Sequence, residues 1–102
     1  MHLDYTVQDY FMGINIDLQR MQPAVWEGTV TWRDQMVVDV YISYRGQYLN
    51  IDIGLVTYTV YELNYEEVGK LTWELIRPYF LDALEYYEEQ TGKDDFSLDF
   101  DD

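Results

Sequence analysis

The residues able to do chemistry are few. The chain holds one histidine, His2, two serines, Ser43 and Ser97, and no cysteine. A nucleophilic triad would have to recruit His2, and neither serine sits in the Gly-x-Ser-x-Gly setting of a nucleophile elbow. The lack of cysteine removes thiolate nucleophiles, thiolate metal sites and disulfides together. The six glycines are scattered, so no phosphate-cradling loop is present. Carboxylates remain. Asp39 and Asp52 fall in strand-like stretches and could oppose each other on one sheet face, the arrangement of a two-acid hydrolase. A catalytic acid, however, needs burial or a special neighbour to shift its pKa, and two polar residues on a wet sheet face account for the pattern. Asp94, Asp95, Asp99, Asp101 and Asp102 are hard oxygen ligands, but their spacing lacks the turning glycine of an EF-hand loop. The expectation is a protein that is not an enzyme, with no cofactor and no dedicated metal site.

The totals point the same way. The 102 residues carry 20 Asp and Glu against 6 Lys and Arg, a net charge of −14. Hydrophobic residues make up 48% and aromatic residues 18%, enough for one real core despite that charge. The charge repels nucleic acid and anionic membranes, so direct contact with either is not expected, and it favours a basic protein partner. No apolar run approaches the ~20 residues of a membrane span, and the opening MHLDYTVQDY lacks a signal-peptide pattern. The expected location is cytoplasmic, that of the host cell if the chain is phage-encoded, and the expected state a monomer or homodimer.

Those acids must be positioned by something. Residues 6–21 place Val7, Tyr10, Phe11, Ile14, Leu18 and Met21 at steps of three and four, a helical stripe. Gly13 and the alternation from Ile14 to Leu18 argue for a strand instead; the helix is preferred, ended by Pro23. From Ala24 to Tyr61 the period becomes two. Val25–Trp32 sets Trp26, Val30 and Trp32 on one side, and Arg33–Gln35 makes a turn. Met36–Tyr44 sets Val38, Val40, Ile42 and Tyr44 on one face, and Arg45–Gln47 makes a tight hairpin. Tyr48–Tyr61 then points Leu49, Ile51, Ile53 and Leu55 inward, with Gly54 as a bulge or bend. Asn64 starts a helix, with Glu67 three positions on. Its apolar phase runs unbroken from Val68 through Leu71, Leu75, Ile76, Phe80, Ala83 and Leu84 to Tyr87. Pro78 kinks it and Gly92 stops it. The predicted fold is α+β: a three-stranded antiparallel meander packed by a long kinked C-terminal helix, with an N-terminal helix. Residues 1–92 form the domain and 93–102 an acidic tail.

The outer face of that helix is where function is expected. Glu67, Glu74 and Glu85 fall near one line opposite the apolar stripe, flanked by Asp82, Glu88 and Glu89. Like charges at these spacings cost roughly 0.2–0.5 kcal/mol per pair. A helix C-terminus favours cations, yet Glu85, Glu88 and Glu89 crowd it. Residues 1–61 hold seven acids and three bases, a net of −4, whereas residues 62–102 hold thirteen and three, a net of −10. Such placement serves a partner better than it serves the helix. The predicted binding residues are Glu66, Glu67, Glu74, Asp82, Glu85, Glu88 and Glu89, with Asp94, Asp95 and Asp99 of the tail. In size and charge the chain resembles small acidic proteins that imitate DNA, including some phage anti-restriction and anti-CRISPR proteins. The resemblance is one of composition and covers no motif. It implies an inhibitor of a basic nucleic-acid-binding protein or nuclease. The alternative is an adaptor that binds through apolar contacts of an edge strand and Phe96, Leu98 and Phe100.

Overall fold

The structure is a computed structural model that describes residues 6–22, 24–61 and 72–92. Among these residues six antiparallel strands lie side by side in sequence order: β1 (Thr6–Phe11), β2 (Ile14–Gln22), β3 (Val25–Thr31), β4 (Val37–Arg45), β5 (Tyr48–Ile53) and β6 (Val56–Val60). One described helix, α1 (Trp73–Thr91), follows and packs on one face of the sheet. The strand connections are two to five residues long, short enough only for antiparallel neighbours.

This corrects the predicted architecture in two places, each turning on a two-residue hairpin. Residues 6–21 are not a helix. Met12 and Gly13 both take positive φ, 51° and 88°, the backbone of a type I′ turn, whose twist suits a two-stranded hairpin. Phe11 then pairs with Ile14 and Val7 with Leu18. Two alternating strands joined by such a turn reproduce a helical spacing by accident. The inward residues Val7, Phe11, Ile14 and Leu18 fall at steps of four, three and four, while Tyr10 and Met21 point outward, 62% and 51% exposed.

Nor is Tyr48–Tyr61 one strand. Gly54 has φ 62° and, with Leu55, makes the tight connection that pairs Ile53 with Val56. A glycine at the first turn position followed by an ordinary residue is the type II′ pattern. The Gly54 N–H donates to the Asp39 carbonyl at 2.9 Å. Leu55, predicted inward, is at the hairpin apex and fully exposed.

The remaining strand faces are as predicted. Trp26, Val30 and Trp32, then Val38, Val40, Ile42 and Tyr44, then Leu49, Ile51 and Ile53 are all buried. Ile14, Ile16 and Leu18 complete the layer on β2, where the next inward position is Arg20. Its guanidinium lies 5.0 Å from the centre of the Trp26 ring, a cation–π contact that offsets part of the cost of burying the charge. Gly28 lies in β3 opposite Leu18. A side chain there would put Cβ 2.1 Å from the Asp17 carbonyl oxygen, so the close approach of β2 and β3 requires glycine.

α1 begins later than predicted. Thr72 is extended, with φ −114° and ψ 165°, and its hydroxyl accepts a hydrogen bond from the Leu75 N–H at 3.4 Å. A helix continuous from Asn64 through Thr72 is thereby excluded; Asn64 itself lies outside the described residues. Pro78 is inside a single helix, so the Glu74 carbonyl receives no bond from position 78. Gly92 closes the helix in the left-handed region, its N–H donating to the Glu88 carbonyl. Ile76, Phe80, Ala83, Leu84 and Tyr87 form the buried stripe, spaced by three and four as an amphipathic helix requires.

Candidate anionic interface

Two clusters of the same composition fix α1 to the sheet. Near its N-terminus, the Asp9 carboxylate on β1 accepts from Trp73 Nε1 at 2.9 Å and from Arg77 Nε at 2.6 Å. A second guanidinium contact, Nη2 to Oδ1, measures 3.4 Å, and the Tyr10 N–H donates to Oδ1 at 2.7 Å. Burial by itself would raise the Asp9 pKa. The hydrogen bonds from Arg77, Trp73 and the Tyr10 N–H, together with the charge of Arg77, outweigh it and hold the carboxyl below its ordinary 3.8. Near the other end the donors and acceptor change sides. Glu88 on α1 accepts from Trp32 Nε1 at 2.9 Å, and Arg33 Nη2 stands 3.7 Å away. Arg33 also donates to the Met12 carbonyl, tying the β1–β2 and β3–β4 connections together. The Tyr87 ring lies 5.2 Å from that of Trp32.

These clusters engage cations at the seam between sheet and helix. Among the described residues the bases are Arg20, Arg33, Arg45 and Arg77. Arg77 is bound to Asp9, Arg33 reaches Glu88, and Arg20 is buried against Trp26. Arg45 is exposed at the β4–β5 connection. The outer side of α1 is therefore acid without base. Glu74, Asp82, Glu85 and Glu89 are all exposed. With the exposed Pro78 they follow steps of four, four, three and four, a single ridge opposite the buried stripe. The last turn of α1 contains no basic residue. After burial, the charges of Asp82 and Glu85 are what push the Tyr58 hydroxyl above the ordinary tyrosine value. The Tyr58 and Tyr86 rings are 5.5 Å apart, which sets this part of α1 beside β6.

Of the predicted binding residues, then, the structure gathers Glu74, Asp82, Glu85 and Glu89. It separates Glu88, which is half-buried and turned to Trp32 and Arg33. Glu66, Glu67, Asp94, Asp95 and Asp99 lie outside the described residues, as do Phe96, Leu98 and Phe100. Leu81, which helical spacing alone sets beside those acids, is half-buried against the core.

The open face of the sheet carries a second set of acids: Asp17 on β2, Glu27 on β3, Asp39 on β4 and Asp52 on β5. Register sets Asp17 and Asp39 on either side of Thr29, and Glu27 and Asp52 on either side of Tyr41. Asp39 and Asp52 share the face without being directly opposed. Glu27, Asp39, Tyr41 and Asp52 line a shallow recess of about 590 Å³ with Gln19 and Met21. Asp52 accepts from the Thr57 hydroxyl at 2.7 Å. None of these carboxylates is buried, and no three His, Asp or Glu side chains among the described residues come together as a metal site. Sequence reasoning passed over Asp17 and Glu27. The signal was their place between inward residues, Ile16 and Leu18 for one and Trp26 and Gly28 for the other.

No family model, no curated protein and no solved structure matches the chain.

Proposed function

We propose that the chain is an inhibitor that offers its α1 ridge to the basic, nucleic-acid-binding surface of another protein, such as a nuclease, in place of phosphates. One observation carries the reading. Glu74, Asp82, Glu85 and Glu89 are exposed on one line, while the described cation of the same helix, Arg77, is held by Asp9 on the other side. From Asp82 to Glu89 successive acids advance roughly 4.5–6 Å along the helix axis, with Glu74 ~12 Å before Asp82, and the closer steps are comparable with the ~3.4 Å rise per phosphate of one DNA strand. A groove built for a polyanion can accept such a ridge. Some phage anti-restriction and anti-CRISPR proteins and acidic immunity proteins of nuclease toxins belong to this class, and the proposed location is the cytoplasm, that of the host cell if the chain is phage-encoded.

Charge-led association is fast and screened by salt. The test is capture of partners on the immobilised chain at about 50 mM and 200 mM salt, with duplex DNA as competitor. A basic nucleic-acid-binding protein, released by salt, displaced by DNA and not captured by an Asp82→Lys/Glu85→Lys/Glu89→Lys variant, is the expected result. A partner held equally at both salts and indifferent to DNA overturns the reading. Such a partner favours an adaptor with apolar contacts, for which the exposed Leu55 and Tyr61 are the supporting observation.

A further inference from the structure

We propose that β6 is a self-pairing edge: it adds to β6 of a second copy in antiparallel register centred on Tyr58, joining the two sheets about a two-fold axis. The inference does not depend on the inhibitor reading.

Among the described residues β6 pairs with β5 on one side and ends the sheet on the other. Its sequence, Val56-Thr57-Tyr58-Thr59-Val60, is the same read in either direction. A two-fold interface requires that residue i meet j while j meets i. Antiparallel pairing centred on Tyr58 meets that condition with like chemistry throughout. Tyr58 lies opposite Tyr58 of the second copy, Thr57 opposite Thr59 and Val56 opposite Val60. The same register continues beyond the strand. It brings Leu55, fully exposed, beside Tyr61 of the second copy, which is 66% exposed with its ring edge-on to Tyr48, so that two largely exposed side chains cover each other.

The opposite edge of the sheet shows what a protected strand looks like here. β1 carries an inward-pointing charge, Asp9, fixed by Arg77 and Trp73, one of the devices by which edge strands avoid pairing with another chain. β6 has no charged residue, no proline and no register shift with its neighbour.

Two features set the strength. A contact of five strand residues with one flanking pair at each end falls below the ~1,000 Å² of a stable assembly, so the dimer is reversible and dependent on concentration. The Tyr58 ring lies 5.5 Å from that of Tyr86, the neighbour of Glu85 in the chain, so pairing brings this part of α1, with Asp82 and Glu85, towards the axis in both copies. Their repulsion opposes association and is screened by salt. Salt therefore strengthens the dimer, whereas it weakens binding of a basic partner to the ridge, so the two proposals fail separately.

The test is sedimentation equilibrium of the full chain across a concentration series at low and high salt, with circular dichroism as the check on folding. The wild type is expected to shift from monomer to dimer with concentration, and further in high salt. Thr57→Glu/Thr59→Glu sets like charges opposite each other twice and should weaken the dimer about tenfold. Thr57→Lys/Thr59→Glu sets Lys opposite Glu twice, only in the centred register, and should restore it. A wild type that stays monomeric at every concentration and salt overturns the proposal. So does a folded double-Glu variant that dimerises like the wild type, or a folded Lys/Glu variant that does not. Should either variant fail to fold, Tyr58→Cys decides in this cysteine-free chain. Residues facing each other across the axis are within disulfide reach, so oxidation should give a covalent dimer much faster than for Gln47→Cys at the β4–β5 connection. Equal rates overturn the proposal.

Discussion

The carboxylates beneath α1 and those on top of it are the same chemical groups in opposite circumstances. Asp9 and Glu88 each accept from a tryptophan indole and lie against an arginine, one cluster towards each end of the helix. At the first end the sheet supplies the acid and the helix supplies the donors; at the second the roles are exchanged. Asp82, Glu85 and Glu89 sit on the outer side of the same helix, with no base in the last turn of α1. The difference teaches that acidity is not an even coating. Among the described residues, carboxylates that hold the fold have been given their cations, and those on the ridge have been left without.

The comparison can be broken by removing one set at a time. Asp9→Ala leaves the Trp73 and Arg77 donors without their acceptor. It should lower stability by about 1–2 kcal/mol in urea denaturation, a range reduced because the Arg77 side chain is 36% exposed. Glu88→Ala should cost about 1 kcal/mol, since its arginine contact is longer at 3.7 Å. Glu85→Lys/Glu89→Lys should do the reverse and stabilise the chain by roughly 0.3–1 kcal/mol, by relieving like-charge pairs and complementing the helix dipole. A loss of stability in that variant would erase the distinction. The smallest effect is in pH. The Asp9 carboxyl titrates below 3.8 in the folded chain, so its contribution is complete above the unfolded value and is lost as pH falls from there through the folded one. The stability gap between wild type and Asp9→Asn should therefore narrow as pH drops below about 4.

Much of this was legible in the residues themselves. Alternation in Val25–Thr31 and Val37–Arg45 gave both the strands and their buried faces, because period two survives wherever one face meets a core. The apolar stripe from Ile76 to Tyr87 gave the helix face, and the acids opposite it gave the ridge. The failures came from turns. A hairpin through Met12 and Gly13 depends on a methionine in the left-handed region, which propensity does not signal. Gly54 signals a turn and a bulge equally well; only pairing with a neighbouring strand decides between them. Glu88 stands apart from the ridge for a different reason. On a wheel it belongs to the acidic side, and what draws it inward is Trp32, 56 residues earlier in the chain. No local pattern carries that information. Asp9 was readable in principle, since a charge between the inward Val7 and Phe11 demands a partner, but only once residues 6–11 are taken as a strand.

The sheet laid out in sequence order also fixes a history for each molecule. Every strand pairs with the one made just before it across two to five residues, so hairpins can form one after another with little loop entropy to overcome. α1 is the exception. Its contacts reach back 68 residues to Asp9 and 56 to Trp32, so they are expected to close after the hairpins. Helix docking is thus the expected slow step, during which Trp26, Val30, Ile42 and Ile51 line a partly uncovered apolar layer. The acidic ridge takes its final place in that same event. A chain that has not finished folding does not present that ridge, so binding of the proposed target is expected only of the completed molecule.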